Sequence, residues 1–173
     1  QEKSEMKRYL RSILPILCLS FSFAQADSNI FAYSSDKPIT EVYDKVYRSL
    51  EDARFYVVFE PNIGNNLSKF AERWGDQYNR SKLSAIRSMV FCNAWYANQV
   101  GNADPSMLAL CPLHITLYEK QGKTAVLFTR PSVIAQGSAA EEIAREIENS
   151  VIQAIESVVP GKRDITPDQE SSQ

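Results

Sequence analysis

The segment HITLYEKQGKTAVLFT, His114 to Thr129, decides the fold. From His114 to Glu119 and again from Thr124 to Thr129 the residues alternate in the β manner, and Gln121-Gly122 stands between the two runs. Alternation with period two puts successive side chains on opposite faces of a strand, and a short Gly-containing turn joins two such strands into an antiparallel hairpin. A hairpin alone cannot bury enough surface, so further strands and a covering layer are required. Downstream, Ser138-Ala139-Ala140-Glu141 has the form of a capping box, and Ile143, Ile147, Val151, Ile155 and Val158 then recur on one stripe of a helix. Pro160-Gly161 ends it, and residues 160–173 read as a polar, disordered tail.

Upstream, Ile86 to Asn93 reads as a strand, followed by helical turns from Ala94 to Leu110 with Asp104 as a cap and Pro105 in a first-turn position. Pro112 stops them. Nearer the start, Asn29 to Ser34 reads as a short strand and Pro38 to Ala53 as a helix whose Val42, Tyr43, Val46, Tyr47 and Leu50 fall at helical spacing. Phe55 to Phe59, aromatic and β-branched without a polar break, is expected to be a strand buried on one or both faces. Asn65 or Asn66 is expected to cap a second helix carrying Leu67, Phe70, Ala71 and Trp74 and stopped by Gly75, with a loop from Asp76 to Ser84. The sum is an α+β domain: a mixed, mostly antiparallel sheet with helices packed on one face. Its other face needs a cover, which a homodimer supplies.

Length and composition set the boundaries. With 173 residues and 44% hydrophobic content the chain suits one core and not two. A net charge of -2 provides none of the basic excess that neutralises phosphates, so nucleic acid is not an expected partner. Lys7, Arg8 and Arg11 precede an apolar run, Ile13 to Phe23, that closes on Ala24-Gln25-Ala26, which is the order of a secretory signal. Met6 reads as the natural start. The run is short for a membrane span, and Leu17 before Cys18 disfavours a lipid anchor. Residues 1–26 are therefore expected to be removed on export, leaving one domain over 27–159 in the periplasm with no membrane attachment.

Two cysteines survive that cleavage, Cys92 and Cys111, in a compartment that favours disulfides. One ends a strand and the other precedes the next, so a bridge that contributes about 3 kcal/mol is one expectation. A redox or sulfur-handling thiol pair is the second, although there is no Cys-x-x-Cys. The third joins Cys111 to His114, the only histidine, and to Met107 as soft ligands for copper or haem iron, with no cofactor as the plainer reading. Covalent haem attachment lacks its second cysteine, since Leu113 occupies that position. Asn93, Trp95, Tyr96, Asn98, Gln99 and Asn102 form an aromatic and amide cluster that suits a small-ligand pocket, or simply covers a sheet edge. Glu141, Glu142, Arg145 and Glu146 read as the solvated face of the last helix.

The stretch Arg87-Ser88-Met89-Val90-Phe91-Cys92-Asn93, continued through Asp104 to Leu113 and on to Leu117-Tyr118-Glu119 and Arg130-Pro131-Ser132, resembles the domain-of-unknown-function family 302. The resemblance spans about Ile30 to Val158. It implies a compact α+β domain, commonly dimeric, with no settled activity. The chain departs from that pattern in a longer insert between Asn62 and Arg87 and in the cysteines at 92 and 111. Taken together, the sequence points to a periplasmic homodimer, not an enzyme, that binds a small ligand or partner near the segment from Cys92 to His114.

Overall fold

A computed structural model describes residues 29–163. The expected secretory signal and most of the expected polar tail lie outside the described residues. The hairpin forms as expected, from β4 (Leu113–Lys120) and β5 (Lys123–Thr129). Gln121 and Gly122 have φ of 54° and 76°. Positive φ at both central positions is what a two-residue turn needs to follow the strand twist.

Four more strands extend the hairpin: β1 (Ile30–Ser35), β2 (Tyr56–Phe59), β3 (Ala85–Cys92) and β6 (Lys162–Arg163). The order across the sheet is β2-β3-β4-β5-β1-β6. The class is α+β, as expected, and every recorded pairing is antiparallel, so the parallel component allowed for is absent among the described strands. Two long helices, α1 (Ile39–Asp52) and α6 (Glu141–Val158), cover one face. Their buried stripes, Val42, Val46 and Leu50 from α1 and Ile147, Val151 and Ile155 from α6, meet Met89, Phe91, Ile115, Leu117, Val126 and Phe128. Each large side chain buried here contributes about 1.5–3 kcal/mol. No long helix covers the opposite face, which carries His114, Thr116 and Tyr118.

Local chemistry departs from the expectations at several points. β2 is not a buried strand but the sheet's margin: it has one neighbour, and Tyr56, Val58 and Phe59 are 54%, 65% and 63% exposed. Only Phe55 before it and Val57 within it reach the core. The single second helix is two short ones, α2 (Ile63–Ser68) and α3 (Ala71–Trp74). Asn62, not Asn65 or Asn66, provides the cap, its side chain accepting the Asn65 N–H at 2.9 Å. The Ser68 hydroxyl takes the Asn65 carbonyl at 2.9 Å, and the helix stops within one residue.

The capping box before α6 does not close either. Ser138 Oγ accepts the Ala140 N–H, and Glu141 reaches back to Gly137 N–H at 2.7 Å. An additional short helix, α5 (Pro131–Ile134), fills that connection. It is held by Glu148, a carboxylate only 4% exposed, which accepts Arg130 Nε at 2.8 Å, the Ser132 N–H at 3.1 Å and the Ser132 hydroxyl. Finally, the first residues of the expected tail are ordered. Tyr33 donates to the Val159 carbonyl at 3.0 Å and Ser35 to that of Pro160 at 2.7 Å, so the chain returns to pair β6 with β1.

Candidate functional site

The insert between Asn62 and Arg87 builds a cavity against β3. Pro61 accepts the Ser88 N–H at 3.0 Å and so keeps the chain against β3 as it leaves β2. α2 then lies so close that a Cβ on Gly64 would stand 3.1 Å from the Ile86 backbone nitrogen. Glycine allows this approach. Phe70 and Trp74 stack with centroids 5.1 Å apart and rings at 17°, which fixes the indole. Gly75, at φ 49°, ends α3 and turns the chain.

The return path is clipped by Asn79. Its Oδ1 accepts the Leu83 N–H at 2.9 Å and its Nδ2 donates to the Leu83 carbonyl at 2.8 Å, closing a polar loop without strand or long helix. Asn79 and Lys82 hold φ of 46° and 56°, left-handed values that Asn tolerates better than most residues. Ser84 fastens the end of the loop to β4, its N–H and its hydroxyl donating at 2.8 Å to the Glu119 carbonyl and Oε1.

Between this loop and the start of β3 lies a cavity of about 530 Å³, within the range of small-molecule sites. Leu67, Trp74, Leu83 and Ile86 supply its apolar wall, and Asn65, Ser68, Gln77, Tyr78 and Ser81 its polar groups. Among the described residues Arg80 is the one charged side chain that lines it, and no carboxylate does. Among the described residues Arg80 makes no ion pair and no side-chain hydrogen bond.

A second, shallower cavity of about 310 Å³ involves Tyr43, Tyr47, Arg48, Glu60 and Arg87. Asp44 lines it as well, and here Tyr43, Glu60 and Arg87 satisfy one another. Arg87 lies over the Tyr43 ring at 3.5 Å and 3.8 Å from Glu60, and the Tyr43 hydroxyl donates to Glu60 at 2.7 Å. Burial, then the Glu60 hydrogen bond, pushes the Tyr43 phenol well above its ordinary range.

The residues singled out from the sequence lie elsewhere. Asn93 caps α4 (Ala94–Ala103), accepting the Tyr96 N–H at 3.1 Å. Tyr96 stacks on Phe55 with centroids 5.9 Å apart, so it belongs to packing. Trp95 is 66% exposed, and Asn98 and Asn102 are exposed. None of these five lines either cavity.

The structure holds Cys92 and Cys111 as free thiols, not as the expected bridge. They are neighbours, because β3 pairs with β4 up to Phe91 and Leu113, and Cys111 follows the 3-10 turn Pro105–Leu110 that Asp104 caps. Burial raises the Cys111 pKa first and the charge of Cys92 adds to it, the reverse of an activated thiolate. Met107 packs against the core while His114 is exposed on the open sheet face. Among the described residues no group of three or more His, Cys, Asp or Glu is placed to hold a metal ion.

Sequence reading overlooked the cavity because its lining comes from a polar stretch without periodicity. One signal was available: Lys69, Arg73, Arg80, Lys82 and Arg87 outnumber Glu72 and Asp76 in a chain whose net charge is negative.

A family model described as "Domain of unknown function DUF302" matches residues 31–158. Among solved structures, the chain is similar to an uncharacterized conserved protein DUF302 from Bacillus stearothermophilus, at 17% identity and a TM-score of 0.63. The match covers 75% of this chain and 98% of that one, and at this identity it shows a shared fold. A search of curated proteins finds no match.

Proposed function

We propose, because this chain belongs to the DUF302 family and that family is defined without an activity, that it is a small-ligand-binding protein of the periplasm and not an enzyme. The observation that carries this reading is the cavity of about 530 Å³ between the insert and β3. It combines an apolar wall with convergent polar groups, as ligand sites do. Export rests on the order of basic residues, apolar run and Ala24-Gln25-Ala26. Dimerisation rests on the sheet face left without a long helix.

Native mass spectrometry of the protein isolated from periplasm tests this. The expected result is a dimer of chains beginning at Asp27 with an added small-molecule mass, and loss of that mass when Ser68→Trp fills the cavity. An added mass that persists in Ser68→Trp, or none in the wild type, refutes the site.

The thiol reading keeps one supporting observation, the nearness of two unbridged cysteines. It predicts that Cys92 and Cys111 interconvert between dithiol and disulfide at a potential within reach of periplasmic carriers. A pair that stays reduced through such a titration rules this reading out.

A further inference from the structure

We infer that the cavity selects a small organic anion: a single carboxylate or sulfonate carried on a flat apolar body. The inference rests on the ligand-binding reading above and adds the chemistry of the ligand. Three features of the lining point the same way. Arg80 is its one charge, has no described partner and faces no carboxylate across the cavity. Arg80 is exposed at the cavity's rim, where its planar guanidinium fork can pair with a carboxylate through two parallel hydrogen bonds.

The second feature is Trp74. One side of the indole is occupied by Phe70, and the ring also lines the cavity while remaining 40% exposed. An aromatic held flat by a stacked neighbour loses little freedom when a planar ligand comes against it, so it favours rings and conjugated bodies over flexible chains. Leu67, Leu83 and Ile86 continue that apolar surface. The third feature is the surrounding field. Within the insert Lys69, Arg73, Arg80 and Lys82 outnumber Glu72 and Asp76, which makes it a basic feature on an otherwise acidic protein and steers anions to it.

The polar groups that remain are amides and hydroxyls, which hydrogen-bond to a carboxylate edge or to ring substituents without adding charge. One cation answers to one anionic group. A phosphate ester or a dicarboxylate would bring charge that the lining does not answer.

The experiment uses the mature protein and three matched probes: 2-naphthoate, neutral 2-naphthalenemethanol and cationic 2-naphthylmethylammonium. Binding is read from the Trp74 indole N–H resonance, assigned with Trp95→Phe. Naphthoate is expected to shift this resonance saturably and to bind about tenfold or more tightly than the other two. Arg80→Gln should abolish that preference while the affinity for the alcohol stays unchanged. Arg80 is exposed, so the variant should keep the wild-type spectrum elsewhere. Equal binding of the three probes, or an Arg80→Gln protein that still prefers naphthoate, overturns anion selection and leaves the cavity a ligand site. If none of the probes moves the Trp74 resonance, anion selection and the ligand-binding reading fall together.

Discussion

Replacing Glu148 by alanine should be among the most costly single substitutions in the molecule. The carboxylate is 4% exposed and accepts three hydrogen bonds, from Arg130 Nε, the Ser132 amide and the Ser132 hydroxyl. Its removal leaves the two Ser132 donors without this acceptor in a buried position and takes away the Glu148 charge beside Arg130. Breaking a buried pair from one side costs about 3–5 kcal/mol, and because the Arg130 side chain is 22% exposed the lower end applies, about 3 kcal/mol. Glu148→Gln keeps one oxygen and the shape, so it should lose about half of that. With a urea slope of about 2 kcal/mol/M, Glu148→Ala should lower the midpoint by about 1.5 M. As a control, Glu41→Ala, which removes an exposed partner of Lys45, should leave the midpoint where it is. A midpoint shift below about 0.5 M for Glu148→Ala would refute the view that this carboxylate ties α5 to α6.

Three further outcomes are expected. A Cβ on Gly161 would overlap the Ser34 carbonyl and stand 2.7 Å from the Tyr33 ring, so Gly161→Ala should destabilise by about 1–3 kcal/mol and expose the β1 edge to hydrogen exchange. Cys111, raised by burial and by Cys92, should alkylate with a midpoint above 9.0, and Cys92→Ser should bring that midpoint partly down; a midpoint below 9.0 in the wild type contradicts the placement. Glu119 is held below its ordinary value first by the Ile39 amide at the start of α1 and then by the Ser84 hydroxyl. A carboxylate whose folded pKa is depressed stabilises fully above its unfolded value of 4.5 and loses that contribution as pH falls through the lower, folded value. Glu119→Gln should therefore flatten the acid limb of a stability-against-pH curve, and an unchanged limb would show that the capping carboxylate contributes nothing.

Elements whose hydrophobic period agrees with their surroundings were legible from sequence. The hairpin at Gln121-Gly122, α1, and the turn opened by Asp104 and Pro105 stand as the local chemistry requires. Where tertiary context decides, the sequence misled. The run Phe55 to Phe59 has the composition of an interior strand, and nothing in it reveals that only one neighbour will lie beside it. Glu148 sits among glutamates that face water, and its burial depends on Arg130 and Ser132, contributed from before a turn. The cavity loop is held by the Asn79 side chain and by contacts to β4, long-range features that no local window contains. The aromatic and amide cluster after Cys92 looked like a pocket because its composition suits one, but its members are spent on a cap, a ring stack and open surface.

The pairing of β6 with β1 has a bearing on how the domain can be connected to anything else. Arg163 lies opposite Tyr33, three residues along β1 from Ile30. Entrance and exit of the folded unit are thus about three strand residues apart, roughly 10 Å, on adjoining strands. A short linker would join them into a circle, and new ends could be opened at the exposed Gln121-Gly122 turn. A tether at either end of the described unit, residues 29–163, would therefore grip it at the same small footprint, with the insert and its cavity on strands farther across the sheet, beyond β5 and β4.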